Sequence, residues 1–199
     1  MLDGFSMGGY GAARLGFKYP DLFRAVSIVG AGPMQHELVQ APRAGRQRAA
    51  EVLQKVYGGD QAYFRSVSPR TLAERNAAAI AKGSLVRIVI GDQDETFENN
   101  RAFHEHLERL RIPHGWTVLR GVAHDPLGVL RALGDDNWAF YRAAFGAVDA
   151  PASARSTDNR VPVCWSVAVK PRNSPRNPRF SSAVKVCAAP RRITSDSAA

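Results

Sequence analysis

The chain has 199 residues, 45% of them hydrophobic, and a formal charge of +9 from 27 Lys and Arg against 18 Asp and Glu. That length suits one domain, or one domain and a tail, and the lack of any run of about 18 apolar residues predicts no membrane-spanning helix. The charge does not describe a nucleic-acid-binding body: residues 1 to 150 carry 18 Lys and Arg against 16 Asp and Glu, a balance of +2, while residues 151 to 199 carry 9 against 2, a balance of +7.

Gly4-Phe5-Ser6-Met7-Gly8, three residues into the chain, has the form of a nucleophile elbow, the sharp strand-to-helix turn that presents a reactive serine. An elbow holds its serine in a strained backbone conformation, and Gly4 and Gly8 are expected to let the returning helix pass the strand without a Cβ clash. Gly9, Gly11, Ala12, Ala13 and Gly16 are small enough for that helix to lie close to a sheet, with Leu15 and Phe17 as apolar contacts. The pentapeptide pattern alone arises by chance in roughly one chain in fifteen of this length. Its partners must carry the inference.

Ala25-Val26-Ser27-Ile28-Val29 reads as the next strand, ended by Gly30-Ala31-Gly32-Pro33. Residues 34 to 82 exceed what one crossover needs. Helices are expected there near 46 to 56 and 69 to 81, the second opened by Ser68-Pro69 as cap and first turn, and the insertion is expected to overhang the site. Leu85 to Ile90, bounded by Lys82-Gly83-Ser84 and Gly91, reads as a buried parallel strand. A helix then runs to about Leu110, with Phe103, Leu107 and Leu110 at i, i+4 and i+7 facing the sheet. Trp116-Thr117-Val118-Leu119 is a further strand, Asp125-Pro126 caps and opens another helix, and Trp138 to Phe145 forms a terminal one. Strands alternating with helices predict a parallel sheet and an α/β fold.

A serine at an elbow needs a general base and a carboxylate to orient that base, in the chain order Ser, acid, His. Asp94 stands just past the strand at 85 to 90, and His124 just past the one at 116 to 119. Ligands of open α/β sheets bind outside the carboxyl ends of the strands, so Ser6, Asp94 and His124 can converge there. Asp92 is a rival acid, and Glu95 a more distant one. Asp125 is expected to be a helix cap. His104 and His106, two apart on a helix, point to different faces and lack a zinc-binding spacing; they are read as solvated, and His36 and His114 as surface loop residues. The chemistry needs no metal and no organic cofactor.

Gly4-Phe5-Ser6-Met7-Gly8-Gly9-Tyr10-Gly11-Ala12, the Tyr19-Pro20-Asp21-Leu22-Phe23 that closes the helix, Gly91-Asp92-Gln93-Asp94 and Gly121-Val122-Ala123-His124 resemble an esterase family of α/β-hydrolases. That family includes esterase D, S-formylglutathione hydrolases, feruloyl and enterochelin esterases, and mycolyltransferases. The resemblance covers roughly residues 1 to 146 and implies the C-terminal part of an α/β-hydrolase parallel sheet flanked by helices. It further implies a serine esterase acting on a small-molecule ester through Ser6, His124 and Asp94, with Met7 as one backbone donor of the oxyanion hole. Its Gly-x-x-Asp pattern favours Asp94 over Asp92. The family's second oxyanion donor comes from a loop before the elbow, where only Met1, Leu2 and Asp3 stand. About half the family's domain is therefore expected to be missing, activity to be impaired, and the elbow strand to be an open edge able to pair with another chain. Two other classes fit the same residues: a catalytically inactive remnant, and a basic-tail binding protein on a hydrolase-like body.

Composition changes abruptly after Phe145-Gly146. Residues 147 to 199 hold half of the twelve prolines, both cysteines (Cys164 and Cys187) and the run Lys170-Pro171-Arg172-Asn173-Ser174-Pro175-Arg176, with neither helical nor strand period. A disordered, solvated extension is expected, in preference to a basic arm that binds nucleic acid. Two cysteines make no disulfide framework and reveal no redox compartment. The absence of a leader at Met1 leaves localisation open between the cytoplasm and elsewhere.

Overall fold

The computed structural model describes residues 1 to 43 and 45 to 146; the expected tail at 147 to 199 lies outside the described residues. The elements follow in the order β1 (Leu2–Phe5), α1 (Met7–Lys18), β2 (Ala25–Val29), α2 (Gly45–Tyr57), α3 (Gln61–Ser66), α4 (Pro69–Gly83), β3 (Leu85–Gly91), α5 (Phe97–Arg109), β4 (Gly115–Leu119), α6 (Pro126–Leu133) and α7 (Asp135–Gly146). The helices expected around 46 to 56 and 69 to 81 are α2 and α4; α3 has no counterpart in the sequence reading. Among the described residues no helix is long and apolar enough to cross a membrane.

The four strands form one parallel sheet in the order β1-β2-β3-β4. Register places Phe5 beside Val29, Val29 beside Val89, and Gly91 beside Leu119, so the carboxyl ends of the strands finish level. The crossover helices α1, α4 and α5 share one face, which lets each successive strand be added in the same direction. The serine, acid and histidine that follow β1, β3 and β4 are thereby delivered to one rim.

Side chains alternate between the two faces. Val26, Ile28, Val86 and Ile88 meet Ala13 and Phe17 of α1, Ile80 of α4, and Phe103 and Leu107 of α5 in the main core. The crossover helices are apolar where they touch it: Phe17 stacks on Phe103 at 6.2 Å between ring centroids. Ser68 caps α4 by accepting from the Thr71 N–H. That helix kinks at Asn76, whose side-chain amide donates to the Phe17 carbonyl at 2.7 Å and so takes up a free acceptor at the end of α1.

On the opposite face Val29, Val89, Leu119, Val129 and Leu133 form a smaller cluster under α6, with Phe5 and Val122 packed against it. Asp125 caps α6 through the Leu127 N–H, as expected. The insertion carries its own core of Leu38, Ala49, Tyr57 and Phe64 and is joined to α1 by the Tyr10 and Tyr57 hydroxyls at 3.2 Å. Burial and that bond push the Tyr10 hydroxyl pKa far up.

Candidate active site

Ser6 occupies the turn between β1 and α1 with φ 59° and ψ −119°, in the left-handed half of backbone space that a β-carbon disfavours. The strain is held by hydrogen bonds on both sides: the Ser6 N–H donates to the Val29 carbonyl at 2.9 Å, and the Ser6 carbonyl accepts from Tyr10 at 3.1 Å and Gly32 at 3.3 Å. A β-carbon at Gly4 would overlap the Gly8 carbonyl, and one at Gly9 would meet Ala31 and the Val29 carbonyl at about 3 Å. A β-carbon at Gly8 would meet nothing within 4 Å. The close-approach glycines are thus Gly4 and Gly9, which corrects the pairing of Gly4 with Gly8 read from the sequence.

Behind the serine the three expected side chains form one relay. His124 Nε2 lies 2.9 Å from Ser6 Oγ, and His124 Nδ1 lies 2.8 Å from Asp94 Oδ2. A carboxylate can only accept, so Nδ1 carries the proton and Nε2 is left to accept from the serine hydroxyl. The His124 and Asp94 side chains are 4% and 1% exposed, which keeps water from competing for that hydrogen bond. Phe5 covers the imidazole at 4.6 Å between ring centroids.

The other Asp94 oxygen, Oδ1, accepts from the Thr96 N–H at 2.8 Å and the Thr96 hydroxyl at 2.7 Å. Asp92 serves the neighbouring loop instead, since its Oδ1 accepts from the Gly121 N–H at 2.7 Å and pins the segment that carries His124. The nearby Glu95 is over half exposed and pairs with Arg43 at 3.7 Å.

Asp94, Glu95 and His124 each bring one potential ligand atom within 4.8 Å of the others. Both His124 nitrogens and both Asp94 oxygens already have partners, so a cation there would have to break the relay. The donor set fits a hydrogen-bonded acid and base better than a metal centre. At the start of α1 the Met7 N–H has no intrahelical acceptor and sits at the positive end of the helix dipole. The Met7 side chain is exposed, so only its backbone is built into the turn.

A groove of about 450 Å³ runs between residues 35 to 42 and the first turn of α5, with Glu95 on its wall. A second concavity, of about 600 Å³ along α7 at Trp138, Tyr141 and Phe145, shares no residue with the relay.

Three of the histidines, His104, His106 and His114, depart from the sequence reading. His106 is 9% exposed, with Nε2 between the Arg70 carbonyl and Glu74 Oε1, each at 3.3 Å. His104 stacks on Trp116 and its Nδ1 lies 2.8 Å from His114 Nε2. Burial lowers the pKa of all three. His36 is exposed, as expected.

Sequence reasoning also passed over Thr96 and Asn100, whose only sequence signal is their position two and six residues after Asp94. Asn100 is fully buried and its amide donates to the Ala31 carbonyl at 2.8 Å.

No family model and no curated protein matches the sequence. Among solved structures the chain is similar to a ferulic acid esterase at 21% identity and TM-score 0.50, over 70% of this chain and 49% of that one. It is also similar to an inhibited esterase B from Lactobacillus rhamnosis, at 17% identity and TM-score 0.54, over 75% of this chain and 56% of that one. A puromycin-hydrolyzing peptidase from Mycobacterium tuberculosis aligns at 20% identity and TM-score 0.52, over 71% of this chain and 22% of that one. These likenesses show the fold alone, a parallel sheet flanked by helices. The chain spans about half the length of the two esterases.

Proposed function

We propose that the chain carries the nucleophile, base and acid of a carboxylic ester hydrolase. The observation that supports this most is the unbroken Ser6–His124–Asp94 relay, with its serine held at positive φ on a strand-to-helix turn. Ser6 Oγ attacks the ester carbonyl carbon while His124 Nε2 takes its proton, and Asp94 keeps the imidazole in the required tautomer and stabilises its charged form. The tetrahedral intermediate collapses as His124 returns the proton to the departing alcohol, leaving an acyl group on Ser6. Water, deprotonated by the same nitrogen, then releases the carboxylic acid and restores the serine.

The negative oxygen of the intermediate faces the start of α1, where the Met7 N–H is one donor. A second donor of the expected kind, from a loop after an earlier strand, is not found among the described residues. With one donor in place of two, turnover is expected to be slower by about 10² to 10³.

Hydrolysis of a p-nitrophenyl ester tests the reading. Turnover above the buffer rate is expected, falling by about 10⁴ in Asp94→Asn, and to background in Ser6→Ala and His124→Ala. Equal rates in the parent and all three variants would refute it.

A further inference from the structure

We propose that Thr96 and Asn100 are positioning residues of this site, which fix the Asp94 carboxylate and tie its loop to the strand end that carries Ser6. The proposal rests on the triad reading above. Its basis is a closed circuit of hydrogen bonds. From Ser6 Oγ the circuit passes through His124 to Asp94 Oδ2, and from Asp94 Oδ1 to the Thr96 hydroxyl at 2.7 Å. Thr96 Oγ1 in turn accepts from Asn100 Nδ2 at 3.2 Å, and the same amide donates to the Ala31 carbonyl at 2.8 Å. The next residue, Gly32, donates its N–H to the Ser6 carbonyl at 3.3 Å and returns the circuit to the nucleophile.

The chemistry of each member is directional. An ionised carboxylate that accepts two hydrogen bonds on Oδ1 presents Oδ2 to the imidazole in one orientation. One Asn100 amide proton is shared between the Thr96 carbonyl at 3.0 Å and Thr96 Oγ1 at 3.2 Å, and a donor facing Oγ1 leaves the hydroxyl proton to point at Asp94. Arg43 to Glu95 and Asn99 to Gln35 also join the segments after β2 and β3, both farther along the chain after β2, and the Asn100 amide is the buried side chain that joins them next to the nucleophile's own hydrogen-bond partner Gly32.

Packing does not account for Asn100. It is fully buried, and its Oδ1 has no hydrogen-bond partner among the described residues. A buried acceptor left unsatisfied is a cost that an apolar side chain of the same size would avoid. Helix capping does not account for the Thr96 hydroxyl either: Thr96 precedes α5 but its side chain caps no N–H of that helix.

The test is Thr96→Val, which keeps shape and backbone N–H but removes the hydroxyl, with Thr96→Ser as rescue and Asn100→Leu as an independent second variant. The readouts are the downfield imidazole Nδ1–H proton in the NMR spectrum, the labelling rate of Ser6 by a fluorophosphonate, and the melting temperature. Thr96→Val and Asn100→Leu are expected to lose or broaden the Nδ1–H signal and to label at least tenfold more slowly. Thr96→Ser is expected to restore both. If Thr96→Val does not fold, Asn100→Leu decides. Retention of the parent signal and labelling rate in both variants would overturn the proposal while leaving the triad reading intact. A parent with the Nδ1–H signal but no labelling would count against the ester reading, and the variants would still be decided by the signal. A parent with neither would overturn both.

Discussion

The two faces of the sheet are built on different principles. The face under α1, α4 and α5 is dry: Phe17, Ile28, Ile80, Ile88, Phe103 and Leu107 are all fully buried and none offers a polar atom. The face under α6 and α7 is apolar only near the carboxyl ends of the strands. At their amino ends Asp3, Ser27 and Arg87 sit side by side in register, on β1, β2 and β3. Arg87, itself 8% exposed, donates to Ser27 Oγ at 2.9 Å and to Asn137 Oδ1 at 2.7 Å, and stacks its guanidinium over Phe140 at 4.1 Å. Tyr141 completes the layer with a 2.7 Å bond to Asp3. The first face supplies cohesion and aims the elbow; the second exchanges cohesion for geometry, because a buried cation accepts only partners in fixed directions.

If that contrast holds, the faces should answer mutation differently. Phe103→Ala, on the dry face, is expected to cost about 3 to 5 kcal/mol by lost transfer energy and the cavity left behind, read as a denaturant midpoint shift with unchanged slope. Gly4→Ala is next. Its β-carbon overlaps the Gly8 carbonyl, so the elbow must open; a loss of about 3 kcal/mol and of serine labelling together is expected. On the polar face Asn137→Ala leaves the Arg87 guanidinium short of an acceptor and is expected to cost about 2 kcal/mol. Arg87→Met, which removes the charge and keeps the bulk but leaves the buried Ser27 Oγ and Asn137 Oδ1 without their donor, is expected to cost no more than about 2 kcal/mol. An Arg87→Met variant far less stable than Asn137→Ala would mean that the cation binds the face together after all.

The smallest expected effect is in pH. Burial lowers the pKa of His104, His106 and His114, so below about 6.5 the unfolded chain binds more protons than the folded one. Stability is expected to be full above that pH and to decline as pH falls below it. His104→Gln with His114→Gln should flatten the melting temperature between pH 7 and pH 5.5; an unchanged slope would place the titrating groups elsewhere.

Much of this architecture is legible in the sequence, and the exceptions share a cause. The strands at 25 to 29 and 85 to 90 are short runs rich in β-branched residues and closed by Gly30 and Gly91, so composition and punctuation agree on them. Ser6, Asp94 and His124 are legible because each follows a strand end, and a parallel sheet brings such positions to one rim. Arg87 is not legible, since a lone cation in an apolar run reveals nothing of the Asn137 that meets it 50 residues later. Gly9 is misassigned to Gly8 because the elbow pattern fixes spacing and not which Cα faces the strand. His104 passes for a solvated helix residue and His114 for a surface loop residue because the partner that orders each is the other histidine, ten residues away. What escapes the sequence is pairing across distance; what it carries is local form.

The central claim is that these four strands hold an assembled and activated serine. Intact mass after exposure of the purified chain to a fluorophosphonate tests it most directly, since the probe requires the relay and no knowledge of the substrate. The account predicts a single adduct on Ser6, absent in Ser6→Ala and in His124→Ala. A soluble, folded chain that gains no adduct, or gains one that survives either substitution, would contradict it.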